Sequence, residues 1–377
     1  MPCLNEADTL ALCINKAQQA LRESGVAGEI IVADNGSADG SQKIAGGLGA
    51  RVVDVDVKGY GSALMGGIAA ARGRYVVMGD ADDSYDFGEL PKFVDKLRDG
   101  FDLVQGCRLP AGGGTIAPGA MPFLHRWVGN PALTFLVRAW FDAPINDVYC
   151  GLRGFAKSHY DRLDQRCTGM EFATEMIIKS SLLGARISEV PITLHPDKRR
   201  SHPPHLKTFR DGWRTLRFFM MCTPRWLYLL PGLSFVLIGL IGYALAFPAT
   251  RIGPATLGAH TLLFASLSIL CGYQAILFSV FAQTFAMAEH LLPEDPVMMR
   301  AFKIINLERG LLASAIATIA GLALLFAAFL QWRAAGYGPL DYAHTMRIVI
   351  PGATLTALGV QTFLSSFFIS ILGMTRR

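Results

Sequence analysis

Hydrophobic and polar positions follow two different rhythms along the 377 residues, and the change falls near residue 222. Before it, short apolar runs alternate with helical periodicity. Leu10, Cys13, Ile14 and Ala17 recur at the three- and four-residue steps of an amphipathic helix. Apolar runs at 29–33, 51–55, 75–78 and 101–105 read as strands, and 186–194 as a late one. Helices are predicted between them, at 60–71, 88–98 and 170–183, with Asp39 or Ser41 capping the one after the first of these strands. Strands alternating with helices predict an α/β fold with a parallel sheet covered on both faces. Residues 2–6 read as a loop of the kind that follows a strand, and no strand is legible ahead of it. The first strand is therefore expected to be truncated.

Beyond Trp226 the blocks lengthen into four apolar segments, 227–247, 259–288, 310–332 and 348–374. A membrane-spanning helix needs roughly 20 apolar residues, so each is long enough to cross a bilayer. Just ahead of them, Leu206, Phe209, Trp213, Leu216 and Met220 share one helical face, with Lys207, Arg210, Arg214 and Arg217 on the other. That pattern suits a helix lying in the membrane interface. Three parts are expected: an α/β domain over 1–203, an interfacial helix over 204–223, and a transmembrane domain over 224–377. The loop 289–309 holds Arg300, Lys303 and Arg309, and the chain ends in Arg376-Arg377, whereas the loops 248–258 and 333–347 carry fewer cations. The excess of positive charge predicts both ends on the cytoplasmic side of a multi-pass inner-membrane protein.

Composition agrees: 51% of residues are hydrophobic. No secretory signal pattern precedes the polar half. Seven cysteines without a C-x-x-C pair suit free thiols in a reducing compartment. The net charge of +5 is mild and suits anionic lipid or phosphates as partners, not nucleic acid. A homo-oligomer is left open.

Candidate chemistry gathers at strand ends, where ligands of open α/β sheets bind. Asn5-Glu6, Asp34-Asn35-Gly36, Lys58-Gly59 and Asp80-Ala81-Asp82 all fall there. Three carboxylates within Asp80–Asp83 repel one another unless a cation lies between them, and hard ions such as Mg²⁺ or Mn²⁺ take such oxygen ligands. Residues 109–131, rich in Gly, Pro and aromatics, read as a mobile loop over the site. Anionic lipid or phosphate, which the net charge suits, would be met by cations, with Arg108, Arg153 and Arg199 first and Lys198 and Arg200 behind them. Glu175 reads as an orienting base-like group or as the partner of Arg153 or a lysine, and Glu171 as helix surface. His125, His159 and His195 lack metal-ligand spacing.

The ordered set Pro2-Cys3-Leu4-Asn5-Glu6, Asp34-Asn35-Gly36-Ser37, Gly59-Tyr60-Gly61-Ser62-Ala63, Asp80-Ala81-Asp82, Gly106-Cys107-Arg108, Asp147 with Gly151-Leu152-Arg153, Glu175, and Glu189-Val190-Pro191-Ile192 resembles family 2 glycosyltransferases of the polyprenyl-phosphate type, such as dolichol-phosphate mannosyltransferase. The resemblance implies a GT-A fold and an inverting hexosyl transfer from GDP-mannose or UDP-glucose to a polyprenyl phosphate. It implies donor contacts from Pro2, Leu4, Asn5, Glu6, Asp34, Gly36, Lys58, Gly61 and Asp80. Asp80, Asp82 and Ser84 would hold Mg²⁺ or Mn²⁺, Ser84 standing where relatives carry Gln. Asp82, Arg108, Arg153 and Glu175 would form the catalytic set. A processive polysaccharide synthase of the same fold is the nearest rival, but neither Arg126-Trp127 nor Arg225-Trp226 completes the Gln-x-x-Arg-Trp motif of such enzymes. A non-catalytic nucleotide-binding membrane anchor or transporter is the rival of another class; intramembrane charges would be expected of it, and the four segments carry almost none.

Overall fold

The structure, a computed structural model, describes residues 1–199, 208–288 and 306–373, together with Leu292, Pro296, Met299 and Arg300. It divides into two compact units, Met1–Phe219 and Met220–Arg377. Arg200, Lys207 and the C-terminal arginines lie outside the described residues.

The first unit alternates strands and helices. In order come β1 (Pro2–Cys3), α1 (Leu10–Glu23), β2 (Ile31–Asp34), α2 (Ser41–Gly47), β3 (Arg51–Asp54), α3 (Tyr60–Ala70), β4 (Tyr75–Met78), α4 (Leu90–Arg98) and β5 (Leu103–Cys107). These follow the predicted runs to within two or three residues. The apolar face of α1 (Leu10, Cys13, Ile14, Ala17) is buried as its periodicity requires. Then follow β6 (Thr115–Ile116), α5 (Asn130–Phe141), β7 (Arg153–Ala156), α6 (Lys157–Leu163), α7 (Phe172–Leu182), β8 (Ile187–Pro191), β9 (Thr193–Leu194) and α8 (Thr208–Cys222).

The α/β architecture is as expected and its strand pairing is mostly parallel, but the strands fall in two sheets: β1-β2-β3 form a parallel sheet, and β4-β7-β5-β8 a second sheet. In the second, β7 runs antiparallel to both β4 and β5, while β5 and β8 are parallel. And residues 2–6 do not only form a loop. Pro2–Cys3 is a strand, parallel to β2 with Pro2 opposite Ala33 and Cys3 opposite Asp34. Behind it, between β2 and β4, lies an apolar cavity of about 380 Å³ lined by residues including Pro2, Ile31, Ala33, Val77 and Phe87. The two sheets stay separate across that gap.

Residues 109–131 are structured as well. β6 pairs with β9, and His125–Gly129 is a π-turn leading into α5. The core joins α1 (Cys13, Ala17), α4 (Phe93, Leu97), β5 (Val104, Cys107) and β8 (Val190).

The second unit holds a π-turn (Arg225–Leu229) running into α9 (Leu230–Ala246), a small hairpin of β10 (Arg251–Ile252) and β11 (Ala255–Thr256), and then α10 (Ala259–Ala288), α11 (Leu307–Ala334) and α12 (Tyr342–Leu372). Among the described residues four helices, Arg225–Ala246, Ala259–Ala288, Leu307–Ala334 and Tyr342–Leu372, are long and apolar enough to cross a membrane. Small residues let their backbones approach, as expected of helices packed in lipid. A Cβ on Gly232 would stand 2.8 Å from the Gly272 carbonyl. Polar pairs add to this, Tyr243 with Ser266 at 2.6 Å and Tyr273 with Thr362 at 2.6 Å.

Candidate active site

Backbone pairing brings the ends of β1, β2 and β4 and the turns after them to one crevice. Asp34, the last residue of β2, is 1% exposed. Its Oδ2 accepts from the Gly36 and Ser37 amides at 2.9 and 3.0 Å and from Gln42 at 2.8 Å. Burial works against its charge, but these donors hold the carboxyl below the usual range. Its Oδ1 is buried without a hydrogen-bond partner, an arrangement native structures rarely leave unexplained. Asn5, in the left-handed region at φ 60°, accepts from the Ala38 amide through Oδ1 at 2.8 Å, and its own amide donates to Ser37 Oγ at 2.9 Å. Asn5 therefore shapes the loop after β2. The Glu6 amide donates to Ser41 Oγ, and Leu4 is half-buried beside it.

Lys58 donates from Nζ to the Asn35 carbonyl at 2.6 Å and lies over Gly36. Gly61 does not face the crevice. A Cβ there would overlap the Cys167 carbonyl, so its smallness admits the 167–168 backbone. Pro2 borders the apolar cavity between the sheets.

The carboxylates after β4 diverge in role. Asp80 accepts from the Tyr60 hydroxyl at 3.0 Å. Burial first, and then the neighbouring Asp82 charge, push its carboxyl up to about 6. Asp82 Oδ1 accepts from both the amide and the hydroxyl of Ser84, at 3.0 and 2.6 Å. Ser84, expected as a further metal ligand, here donates its hydroxyl to Asp82. Asp83, at φ 59°, turns the other way and pairs with Lys16 at 2.8 Å and Lys198 at 2.7 Å.

Arg199 completes the site. Its guanidinium meets Glu6 at 3.1 Å, Asp82 at 3.2 Å and Asp197 at 2.5 Å. Burial opposes its charge, but Asp197, Glu6 and Asp82 hold it protonated more firmly than an ordinary arginine. The segment that carries it is strapped to the carboxylate turn: His195 N donates to Ser84 O at 2.9 Å and Lys198 N to Asp82 O at 3.3 Å. Asp82, with Glu6 and Asp197, is thus a seat for positive charge, and Asp80 lies close enough for the Asp82 charge to act on it. Among the described residues no three His, Cys, Asp or Glu side chains converge as ligands. A Mg²⁺ or Mn²⁺ ion fits such a seat, since these ions bind through one or two carboxylates with phosphate and water oxygens completing the shell.

The other predicted arginines sit deeper. Arg108 grips Asp147 through Nε at 2.7 Å and Nη2 at 2.9 Å, and its Nη1 lies 3.5 Å from the Tyr85 hydroxyl. Arg153 is wholly buried, its Nη1 and Nη2 donating to the carbonyls of Ala173, Cys150 and Val148. It cannot reach an acceptor phosphate without leaving the core. Glu175 is equally occupied: it pairs with Lys179 at 2.8 Å and accepts from the Arg166 and Cys167 amides. Of the two readings of Glu175, the lysine's partner is the one these contacts match. Glu171 is not open surface, since it is buried and pairs with Arg214 of α8 at 2.8 Å. Sequence reasoning missed Tyr60, Tyr85, Lys16 and Asp197 as site residues. Tyr60, inside the Gly59–Ala63 motif, and Asp197, two positions before Arg199, carried a local signal.

An α/β domain with a carboxylate crevice at its strand ends, on a chain with four apolar helices, is the build of a membrane-bound transferase of the GT-A type. Comparison with known proteins gives the family. The glycosyl transferase family 2 model matches residues 1–163, and that of the glycosyltransferase family 2 C-terminal transmembrane region matches 280–373. The low-salt glycan biosynthesis hexosyltransferase Agl6 of Haloferax volcanii is 36% identical over 379 residues, covering 99% of this chain and 88% of its own length. A dolichyl-phosphate hexose transferase of the same organism is 33% identical over 183 residues, 48% of this chain and 75% of that one. A crystal structure of glucosyl-3-phosphoglycerate synthase from Mycobacterium tuberculosis in complex with Mn²⁺ and UDP-glucose aligns with a TM-score of 0.45 and 24% identity, over 59% of this chain and 76% of that one. The chain belongs to glycosyltransferase family 2 and is an integral membrane enzyme.

Proposed function

We propose that the protein moves a hexose from a nucleotide-sugar, GDP-mannose or UDP-glucose, to a polyprenyl phosphate at the cytoplasmic membrane face, with inversion to a β-linked lipid-phosphate sugar. The hexosyl and lipid-phosphate elements draw support from the names of the two Haloferax relatives. The observation that carries the donor assignment is Asp34, whose buried Oδ1 lacks a partner. A base N–H, from guanine or uracil, supplies the missing donor.

A divalent ion, when bound, neutralises charge on the departing diphosphate. Asp82 and Asp80 are the residues to hold it. A lipid monophosphate has a second pKa near 6 and is ionised at neutral pH, so its oxygen attacks the sugar carbon without a strong general base. The bond from that carbon to the diphosphate breaks, and its electron pair leaves on the nucleotide. The chain's contribution is positional. Arg199 and Lys198, already drawn to Asp82 and Asp83, are the cations poised to move onto phosphate. Arg108, anchored by Asp147, offers its Nη1 edge.

A melting panel of GDP- and UDP-sugars with Mn²⁺ tests the donor assignment. One base is expected to raise the midpoint, and Asp34→Ala to remove that rise. Equal stabilisation of the wild type and Asp34→Ala would contradict it.

A further inference from the structure

The two sheets of the first unit face each other across the apolar cavity of about 380 Å³ between β2 and β4, and the strand edges that border it are incompletely paired. β4 pairs with β7, and among the described residues no strand takes its other edge. β1 covers β2 over Ala33 and Asp34 alone. The ladder runs one step further at Met1, whose carbonyl accepts from the Ala33 amide at 2.9 Å and whose amine donates to the Ile31 carbonyl at 2.8 Å. Cys3 O accepts from Asn35 N and Met1 O from Ala33 N. The same two-residue step leaves the Ile31 amide for a carbonyl two positions ahead of Met1. Ile30, Ile31, Tyr75, Val76 and Val77 are only half-buried, although inner strands of such sheets are covered on both faces.

We propose that this gap is a strand slot, and that it takes an extended apolar segment joined to Met1, parallel to β2 and lying beside β4. Three observations select that occupant. First, the length fits. Pro2 stands opposite Ala33, so three positions ahead of Met1 fall opposite Ile31, Ile30 and Glu29, and Tyr75–Met78 offers four residues on the other side. Second, the walls are mostly hydrocarbon, with Leu64 and Ile68 of α3 and Leu90 and Val94 of α4 among them. A run of apolar side chains whose peptide groups pair along both edges suits such walls, because an unpaired peptide group is costly to bury. Third, the Met1 amine selects a joined segment over a separate one. Burial pushes this amine down to about 6. A separate peptide would bury its own carboxylate against it, an ion pair with a heavy desolvation cost, whereas a peptide bond at that place carries no charge. A polar basin lined by Arg22, Glu29, Arg51 and Arg72 adjoins the far end of the cavity, so a chain leaving the slot there meets water. The slot also bears on the crevice. β1 runs toward Glu6 and β4 toward Asp80 and Asp82, so a strand between the sheets fixes the spacing of those carboxylates.

The test compares the full chain with two forms extended ahead of Met1, one by Val-Ile-Val-Val and one by Ser-Gly-Ser-Gly. The apolar extension is expected to raise the melting midpoint by about 5 °C or more. It is also expected to slow hydrogen exchange at the Ile31 amide and along Tyr75–Met78 by about tenfold or more. The polar extension is expected to do neither. Acetyl-Val-Ile-Val-Val with a free carboxylate, and myristate, are added to the unextended chain as probes for a separate peptide and for a hydrocarbon chain, and neither is expected to slow these amides. Exchange that is the same in all three chains, or that the free peptide or myristate slows as strongly as the joined segment does, would overturn the proposal. The readout needs no transfer activity, so it stands or falls apart from the proposed reaction.

Discussion

Arg199 and Asp80 are the two side chains whose environments say most about what the crevice binds. Arg199 draws together Glu6, Asp82 and Asp197, acting in the ligand-free protein as the cation between carboxylates. Removing it, as Arg199→Gln, is expected to destabilise the metal-free protein by about 1–3 kcal/mol, a drop of a few degrees in melting midpoint. Mn²⁺ with a nucleoside diphosphate should restore a larger share of stability to this variant than to the wild type, because both cations serve the same seat. Asp80 gives a pH signature. Its folded-state pKa, about 6, lies above the unfolded value of about 3.9, so the folded protein binds the extra proton. This group's contribution to stability therefore rises as pH falls from 7 through 6 and is complete below 4. Asp80→Asn lacks that term. Metal-free melts at pH 7 and pH 5 should show the wild type losing ground to Asp80→Asn at pH 7 and recovering it at pH 5. A difference independent of pH would mean that Asp80 is already ionised at no cost.

At the scale of elements, the site depends on how β7 and the turn before it are held. Asp147 joins Arg108 at the end of β5, while Glu189 of β8 holds the Asn146 and Asp147 amides at 2.6 and 3.1 Å. Breaking a buried pair leaves an uncompensated charge, so Asp147→Ala is expected to cost about 3–5 kcal/mol, read as a large fall in melting midpoint. Gly151 is the finer probe. A Cβ there would come 2.6 Å from Asp80 Oδ2 and 3.0 Å from the Tyr85 ring. Gly151→Ala should displace Asp80 and lower transfer at least tenfold, with about 1–3 kcal/mol lost in stability. This scale is also where reading the sequence alone succeeds and stops. The strands β2 to β4 and helix α1 were legible because each carries its own period, and the crevice because ligands gather at strand ends. β7 was not, since Arg153-Gly154-Phe155-Ala156 has neither alternation nor an apolar run. Its identity comes from two neighbours that lie far away in sequence. Arg153 misled for the same reason. A charged side chain reads as surface or as function, and nothing local reveals three backbone carbonyls waiting in the core. The Arg108–Asp147 pair spans 39 positions, a contact that only the folded chain defines.

The whole molecule joins, in one chain, an α/β unit with a carboxylate crevice and a unit of helices apolar enough to cross a membrane. The charge bias of the loops predicts both termini on the cytoplasmic side. Tags at either end should then be cleaved by protease in inside-out vesicles and protected in right-side-out ones. The most direct test of the account is transfer itself: a nucleotide-sugar labelled in the hexose, incubated with the reconstituted enzyme, Mn²⁺ and polyprenyl phosphate, then extracted into organic solvent. The account predicts lipid-soluble label that depends on the polyprenyl phosphate, is released by mild acid as free hexose, and falls at least a hundredfold in Asp82→Asn. Label that enters a polymer or stays on the nucleotide while the enzyme is folded and donor-bound, or that reaches the lipid equally well with Asp82→Asn, would contradict it.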